Sequence, residues 1–283
     1  AWIDIDGDMW DDLVVTGEWM SLRFFKNNKG KSFTEITNEV FKTEQRGWWN
    51  DIKKGDFDKD GDMDLIVGNL GLNYKYQASS KATFDLYVDD FDLNSSQDLV
   101  LGYFNNGEQF PVRGRQCSSE QIPAIELKFE DYNSFASASL ESIYGKKELD
   151  NARHLQVNSF SSKVFINDGQ GNFEASDLPI EAQYAPINDL IISDINKDKI
   201  PDIIIAGNLF SSEVETPRAD AGIGLMLKGK GDGTFETVSM NQSGLILRED
   251  IKSLILLTGS TSHKLIFAAS NQGPLKAFSI NLN

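Results

Sequence analysis

Four stretches of the chain carry oxygen-bearing side chains at alternate positions, and each leads directly into an apolar run. We call these nine-residue segments loop 1 (4–12), loop 2 (56–64), loop 3 (90–98) and loop 4 (194–202). Their first, third, fifth and ninth residues are all Asp or Asn. These residues are Asp4, Asp6, Asp8 and Asp12; Asp56, Asp58, Asp60 and Asp64; Asp90, Asp92, Asn94 and Asp98; and Asp194, Asn196, Asp198 and Asp202.

This spacing suits a calcium ion, which takes about six to eight oxygen ligands. In a curled loop the first, third and fifth side chains each supply one oxygen, and the ninth supplies a bidentate carboxylate. The seventh residue supplies its backbone carbonyl. The seventh residues are Trp10, Asp62, Ser96 and Ile200. The sequence therefore predicts up to four Ca²⁺ sites.

The four loops differ at the sixth position. The chain has to turn sharply there, and glycine adopts the required conformation most easily. Only loop 2 has a glycine, Gly61, at this position, where the others have Met9, Ser95 and Lys199. We therefore expect the strongest site in loop 2. The weakest is expected in loop 4, where a lysine enters the loop.

Two other interpretations of the loops are less favoured. An EF-hand needs a bidentate Glu at the twelfth position, between two helices. The twelfth residue here lies in a β-branched or apolar run that is typical of a buried strand: Val15, Val67, Leu101 and Ile205. A solvated turn would explain any single loop, but not four loops in the same register.

Charge and composition exclude several classes of protein. The 283 residues include 43 acids and 27 bases, giving a net charge of −16, and fourteen of the acids are predicted calcium ligands. Such a surplus disfavours broad binding to nucleic acid or to an anionic membrane surface. One cysteine, Cys117, and two histidines, His154 and His263, exclude a disulfide framework and disfavour a Cys/His zinc site. No apolar run reaches the roughly 18 residues of a membrane-spanning helix.

The elements that hold the loops recur with them. Hairpin turns of the Asn-x-Gly-x-Gly-x-Phe type follow short apolar strands at 27–33, 167–173 and 230–235. Loop 2 starts 52 residues after loop 1, and a unit of about fifty residues with four short strands is typical of a propeller blade. We predict an all-β protein, a β-propeller of four-stranded blades, with a helical insertion at about 117–153. The clearest helical pattern in it is Asp131–Tyr144.

Several motifs resemble a known family. They are Gly17–Met20, Gly47–Asn50, Gly68–Asn73, Gln121–Pro123 and Leu178–Gln183. With the loops, they resemble the FG-GAP/VCBS repeats of integrin α-like β-propellers. More narrowly, they resemble the propeller region of the ASPIC/UnbV group, which includes cartilage acidic protein relatives and surface proteins of Bacteroidota. The similarity runs nearly end to end, so we expect one propeller over 1–283.

This resemblance implies calcium, protein partners and an extracellular or outer-membrane-surface setting, often within a larger assembly. A lipid anchor or secretion signal is expected in a precursor segment before Ala1. The favoured function is a non-enzymatic binding or scaffold module. The alternative is a propeller associated with polysaccharide binding or degradation, for which His154, His263 and the pair Trp48-Trp49 are candidate residues. Neighbours on a strand face opposite ways, so at most one of the two tryptophans is expected in the core.

Overall fold

The computed structural model describes residues 1–41, 43–213, 215–259 and 264–280. The chain forms two compact units, which are described separately. The first comprises Ala1–Lys75 and Phe160–Asn283, and the second is Tyr76–Ser159. The second unit is thus an insertion in the sequence of the first.

Most of the regular structure is β-strand. In chain order the strands are β1 (Trp2–Ile3), β2 (Asp12–Val15), β3 (Glu18–Ser21), β4 (Arg23–Asn27), β5 (Phe33–Glu35), β6 (Arg46–Trp48), β7 (Asp51–Gly55), β8 (Asp64–Gly68), β9 (Phe84–Asp89), β10 (Asp98–Asn105), β11 (Glu108–Pro111), β12 (Arg153–Val157), β13 (Lys163–Asn167), β14 (Phe173–Asp177), β15 (Asp189–Ser193), β16 (Asp202–Ala206), β17 (Leu225–Gly229), β18 (Phe235–Val238), β19 (Ile251–Thr258), β20 (Lys264–Ser270) and β21 (Lys276–Ile280).

The helices are short. They are α1 (Thr37–Val40), α2 (Arg115–Gln121), α3 (Ala124–Lys128), α4 (Tyr132–Ala136), α5 (Leu140–Tyr144), α6 (Lys146–Asn151) and α7 (Met240–Ser243), with one 3₁₀ turn at Ile180–Gln183. No helix among the residues that the structure describes combines the length and the apolar character needed to cross a membrane.

The first unit contains a series of antiparallel sheets. Sheet I has the order β1-β2-β4-β5, sheet II the order β14-β13-β8-β7, sheet III the order β15-β16-β17-β18, and sheet IV the order β19-β20-β21. Strands β3 and β6 form a separate pair. Sheets I to III are four-stranded, and the strands of each lie side by side in chain order, although sheet I omits β3. The predicted all-β class with four-stranded antiparallel sheets is therefore confirmed.

The core of the first unit consists of apolar layers between successive sheets. One layer joins sheets I and II, a second joins II and III, and a third joins III and IV. Strand β16 contributes to two of them: Ile203 and Ile205 face sheet II, whereas Ile204 and Ala206 face sheet IV. Because successive side chains of a strand point to opposite faces, a strand between two layers has to be apolar throughout.

The outer faces of the first and last sheets carry exposed apolar side chains. On sheet I, Trp2 is 54% exposed and Phe33 is 47% exposed, with their rings 6.0 Å apart. On sheet IV, Ile255 is 53% exposed and Leu257 is 47% exposed. Large exposed apolar residues grouped in this way are typical of surfaces that contact another protein.

The predicted hairpins are present in sheets I, II and III. Asn27 pairs with Phe33, Asn167 with Phe173, and Gly229 with Phe235. Each hairpin joins the third and fourth strands of its sheet. The turn motif therefore marks the connection between the third and fourth strands of these sheets.

Buried asparagines end the second strands of sheets II and III. Asn69 follows β8, accepts the Trp48 N–H at 3.1 Å and donates to the Ser161 carbonyl at 3.2 Å. Asn208 follows β16 and donates to the carbonyls of Gly222 at 3.0 Å and Glu249 at 3.1 Å. These amides satisfy backbone groups that the strands leave unpaired at their ends.

The second unit has its own sheet, in the order β11-β10-β9-β12, together with helices α2 to α6. The helices span 115–151, close to the expected 117–153, but loop 3 also lies in this unit, between β9 and β10. The single helix expected over Asp131–Tyr144 is wrong, because the helix ends at Ala136 and a new one starts at Leu140. The Ser139 hydroxyl caps that second start by accepting the Ser142 N–H at 3.2 Å.

The layered core makes a direct prediction. Ile204 is 3% exposed, and we expect Ile204→Ala to lower the free energy of unfolding by about 2–5 kcal/mol, because it leaves a cavity between sheets III and IV. Ile255→Ala is the matched control on the exposed face of sheet IV and should cost less than about 1 kcal/mol. Urea unfolding followed by tryptophan fluorescence measures both losses. Equal losses would contradict the arrangement of layers.

Candidate metal centre

All four loops share one backbone conformation. The sixth residue has a positive φ in every loop, as expected: +69° at Met9, +100° at Gly61, +72° at Ser95 and +65° at Lys199. The fourth residue is left-handed too, which the sequence did not reveal, at Gly7, Lys59, Leu93 and Lys197. Two left-handed residues curl each loop, and the φ of Gly61 is one that suits glycine best.

The fifth and seventh residues form a second shared feature. The backbone N–H of the seventh residue donates to the side-chain oxygen of the fifth, as in an Asx turn. These bonds are Trp10 to Asp8 at 3.0 Å, Asp62 to Asp60 at 2.9 Å, Ser96 to Asn94 at 2.7 Å and Ile200 to Asp198 at 2.9 Å. The fifth side chain therefore shapes the loop whether or not it also binds an ion.

The ninth residue closes the loop from inside. Asp12, Asp64, Asp98 and Asp202 are at most 2% exposed. One carboxylate oxygen of each accepts the N–H of the loop's second residue, at 3.1, 2.8, 2.9 and 3.0 Å respectively. In loops 1, 2 and 4 the other oxygen accepts an N–H from the end of the sheet's third strand: Asn27 at 2.7 Å, Asn167 at 2.9 Å and Gly229 at 3.1 Å.

Loop 2 brings three of its predicted ligands together. Carboxylate oxygens of Asp56, Asp58 and Asp64 lie within 4.8 Å of one another. Burial, together with the charge on Asp58, raises the pKa of Asp64 to about 6, against the hydrogen bonds from Asn167 and Phe57. Burial, with the charge of Asp60, also raises the pKa of Asp58. The like charges of this site disfavour ionisation when no cation balances them.

Loop 3 has the same arrangement. Oxygens of Asp90, Asp92 and Asp98 lie within 4.8 Å of one another. The carboxylate of Asp90 accepts the N–H groups of Asn94 at 2.9 Å and Ser95 at 2.7 Å, which hold it inside the turn. Burial raises the pKa of Asp98, and the charges of Asp92 and Asp90 add to that effect.

Loop 1 gathers a different set. Its cluster consists of Asp4, Asp6 and Asp8, and Asp12 is not part of it. One oxygen of Asp6 contacts the Lys26 ammonium, while the other, Oδ1, is buried and accepts no hydrogen bond from any described residue. A buried carboxylate oxygen with no donor is costly, and a cation inside the loop would satisfy it.

Loop 4 differs most from the prediction. No three of its acids come together among the described residues. The Lys228 ammonium lies 3.7 Å from Asp198, and Lys264 donates to the Asp194 carbonyl at 3.1 Å. Oδ1 of Asp194 is nonetheless buried, and no described residue donates to it. Loop 4 therefore has the same backbone conformation as the other loops, but lysine side chains contact its residues and balance part of its negative charge.

The three clusters can hold a metal ion. Oxygens bound to one Ca²⁺ at about 2.3–2.6 Å lie at most about 5 Å apart, so a spread of 4.8 Å fits. The donors are hard oxygens alone, which favours calcium or magnesium over zinc or copper. Sequence spacing identified these acids. It missed Lys26 and Lys228, because their strands follow later in the chain.

The candidates for an enzymatic or sugar-binding site are dispersed. His154 lies in the second unit, and His263 lies outside the described residues. Trp49 is 2% exposed and donates to the Met20 carbonyl at 3.0 Å, as expected for the buried member of the pair. Trp48 is half-buried, with ring centroids of Trp19 and Phe160 each 5.2 Å away. The tryptophans therefore belong mainly to packing.

Comparisons with known proteins bear on the repeat. Residues 4–67 match the family model described as FG-GAP-like repeat, from the first residue of loop 1 through loop 2 into β8. No curated protein matches the chain. Among solved structures, NanB with optactamide aligns with 96% of this chain and 49% of its own length, at 11% identity and a TM-score of 0.30. The chain thus spans about half the length of that structure. The repeat match supports the assignment of loops 1 and 2.

The closing carboxylate should matter even without metal. We expect Asp202→Ala to lower the free energy of unfolding by about 2–4 kcal/mol, because the buried N–H groups of Ile195 and Gly229 lose their acceptor. The loss should be equal in calcium and in EDTA. Lys197→Ala, an exposed change in the same loop that leaves these hydrogen bonds in place, is the control and should cost at most about 0.5 kcal/mol. A loss that appears only in calcium would mean that Asp202 acts as a ligand instead.

Proposed function

We propose that this protein is a calcium-binding β-propeller that serves as a non-enzymatic binding or scaffold module. The observation that carries the proposal is the convergence of three carboxylates in each of loops 1, 2 and 3, on one shared backbone. The match to an FG-GAP-like repeat over residues 4–67 supports both the propeller and the calcium. The narrower resemblance to the ASPIC/UnbV group stays a prediction.

The succession of sheets in the first unit supports a propeller. Each four-stranded sheet has its strands in chain order, and each packs face to face on the next through an apolar layer. Loops 1, 2 and 4 all join the first and second strands of their sheets. In this proposal sheets I, II and III are blades, and sheet IV contributes three strands of a fourth.

Calcium in these loops would act on stability. It would neutralise carboxylates that repel one another. With a dissociation constant of about 0.1 mM and about 1 mM Ca²⁺, each site adds roughly 1.4 kcal/mol by mass action. Three sites would add about 4 kcal/mol, a large share of the stability of a typical domain.

Calorimetric titration tests the metal proposal. We expect three equivalents of Ca²⁺ to bind, and a melting temperature several degrees lower in EDTA. Asp58→Asn should reduce the number of sites to two, since it removes one of the negative charges that hold the ion in loop 2. Asp198→Asn, the same change in loop 4, should leave three. A chain that binds no calcium, or whose melting is indifferent to EDTA, would refute the proposal.

The pH dependence should change sign with calcium. The pKa of Asp64 is about 6 in the folded protein and about 3.9 in an unfolded chain. In EDTA, Asp64 therefore contributes up to about 3 kcal/mol at low pH, and this contribution is lost as the pH rises through about 6. In calcium, which binds the deprotonated carboxylate, stability should instead rise over pH 5–7.5. Urea unfolding across that range measures both slopes, and equal slopes would contradict the assignment.

The setting proposed is the extracellular or outer-membrane surface of a bacterium, in a larger protein assembly. Calcium at such surfaces is plentiful enough to fill sites of modest affinity. The exposed apolar residues on sheets I and IV support a protein partner. Incubation with a panel of polysaccharides tests the alternative, because new reducing ends or unsaturated products would identify an enzyme. Co-purification of protein partners from the native membrane would support the scaffold.

A further inference from the structure

The second unit contains a polar cavity of about 510 Å³ that no residue of loop 3 lines. It lies between the sheet, at β9, β11 and β12, and helices α5 and α6. Its volume is within the range of small-molecule sites. A buried carboxylate in the sheet beneath it, Asp85, sets the chemistry of the cavity.

Asp85 is fully buried and accepts four hydrogen bonds. The donors are Thr83 Oγ1 at 2.9 Å, Gln109 Nε2 at 2.9 Å, Gln156 Nε2 at 3.0 Å and His154 Nε2 at 2.7 Å. We call these five residues the Asp85 cluster. Nε2 of His154 faces the carboxylate, and the other ring nitrogen, Nδ1, bonds to no described residue.

The surrounding contacts fix the cluster rigidly. The rings of His154 and Tyr87 are stacked at 4.2 Å, with 6° between their planes. The Tyr87 hydroxyl donates to Gln109 Oε1 at 3.1 Å, which sets the orientation of that amide. Gly102 pairs with Asp85 in the sheet, and a Cβ there would lie 2.9 Å from Gln109 Nε2. The absence of a side chain at Gly102 thus leaves space for the Gln109 amide.

Stability alone does not account for this arrangement. Burying a carboxylate is costly even when it is fully hydrogen-bonded, and apolar residues of similar volume generally serve a core as well. The neighbouring residues on this face, Leu140 and Leu149, would pack against such a replacement. What the cluster provides is an imidazole held at one angle on the cavity wall.

The rest of the cavity wall is acidic. Glu108, Glu141 and Asp150 line it, whereas its basic residues are Lys146, 3.7 Å from Asp150, and His154, which contacts Asp85. The Gln109 amide and the Ser139 hydroxyl add neutral polar groups. The wall therefore attracts a cation, repels an anion and offers many acceptors to hydroxyl groups.

We propose that this cavity binds a small hydroxylated organic cation of the amino sugar class. Its protonated amine would lie against the wall carboxylates, and its hydroxyls would bond to His154 and the polar side chains beside it. The site is separate from the metal loops, so the proposal stands or falls independently of calcium binding.

Histidine-ring NMR tests the proposal on the full chain. The sequence has two histidines, so one His263→Gln variant assigns both sets of ring signals. Glucosamine should shift the His154 signals saturably and leave those of His263 in place. Glucose, the neutral analogue, should bind at least about tenfold more weakly, and glucuronate should not bind. Equal binding of glucose, or no shift with glucosamine, would overturn the proposal.

Charge-removing variants locate the amine. Glu141→Gln combined with Asp150→Asn should weaken glucosamine binding at least about tenfold. Glu148→Gln, on the same helix α6 but outside the cavity wall, is the matched control and should bind as the parent does. Circular dichroism and the His154 ring signals without ligand report that each variant is folded. Equal binding by the double variant and the control would overturn the assignment.

Discussion

One interaction recurs in all four loops, and the rest of the structure depends on it. A buried aspartate at the ninth position accepts the N–H of the second residue and so closes the loop on itself. In the first unit it also accepts an N–H from the end of the sheet's third strand. A single carboxylate thus fixes the curl of the loop and joins it to the hairpin beyond.

The same aspartate begins the second strand of its sheet. Asp12, Asp64, Asp98 and Asp202 are the first residues of β2, β8, β10 and β16. Since side chains alternate along a strand, the position of this residue decides which apolar side chains face each layer. In β8, Leu65 and Val67 consequently face sheet I, and Ile66 faces sheet III. Neutralisation of the loop carboxylates therefore acts on the same aspartate that decides which side chains enter the core.

Features with a short repeat were predictable from the sequence. The loops, the hairpins and the apolar second strands are all local patterns, and all of them appear at the predicted residues. The inserted sheet was not predictable in this way. Its strands β9 and β12 pair across about sixty residues, and no local pattern in β9 marks Asp85 as buried. The break in the helix at Ser139 was also not predicted. The helical spacing of apolar residues continues through this position, so the capping serine does not stand out in the sequence.

The differences among the loops follow from one position in the third strands. The residue before the strand end is Lys26 in β4, Ile166 in β13 and Lys228 in β17. Lys26 contacts Asp6 of loop 1, and Lys228 lies 3.7 Å from Asp198 of loop 4. An ammonium there supplies part of the positive charge that a metal would bring, and it competes with the ion.

Loop 2 has no such lysine, because Ile166 occupies the equivalent position. Within the described residues, its acids accept hydrogen bonds from backbone N–H groups, and burial raises the pKa of Asp64 to about 6. The same loop has the one glycine at the sixth position. Backbone conformation and charge thus both favour a cation in loop 2, which has the glycine at its turn and lacks the lysine that contacts the acids of loops 1 and 4.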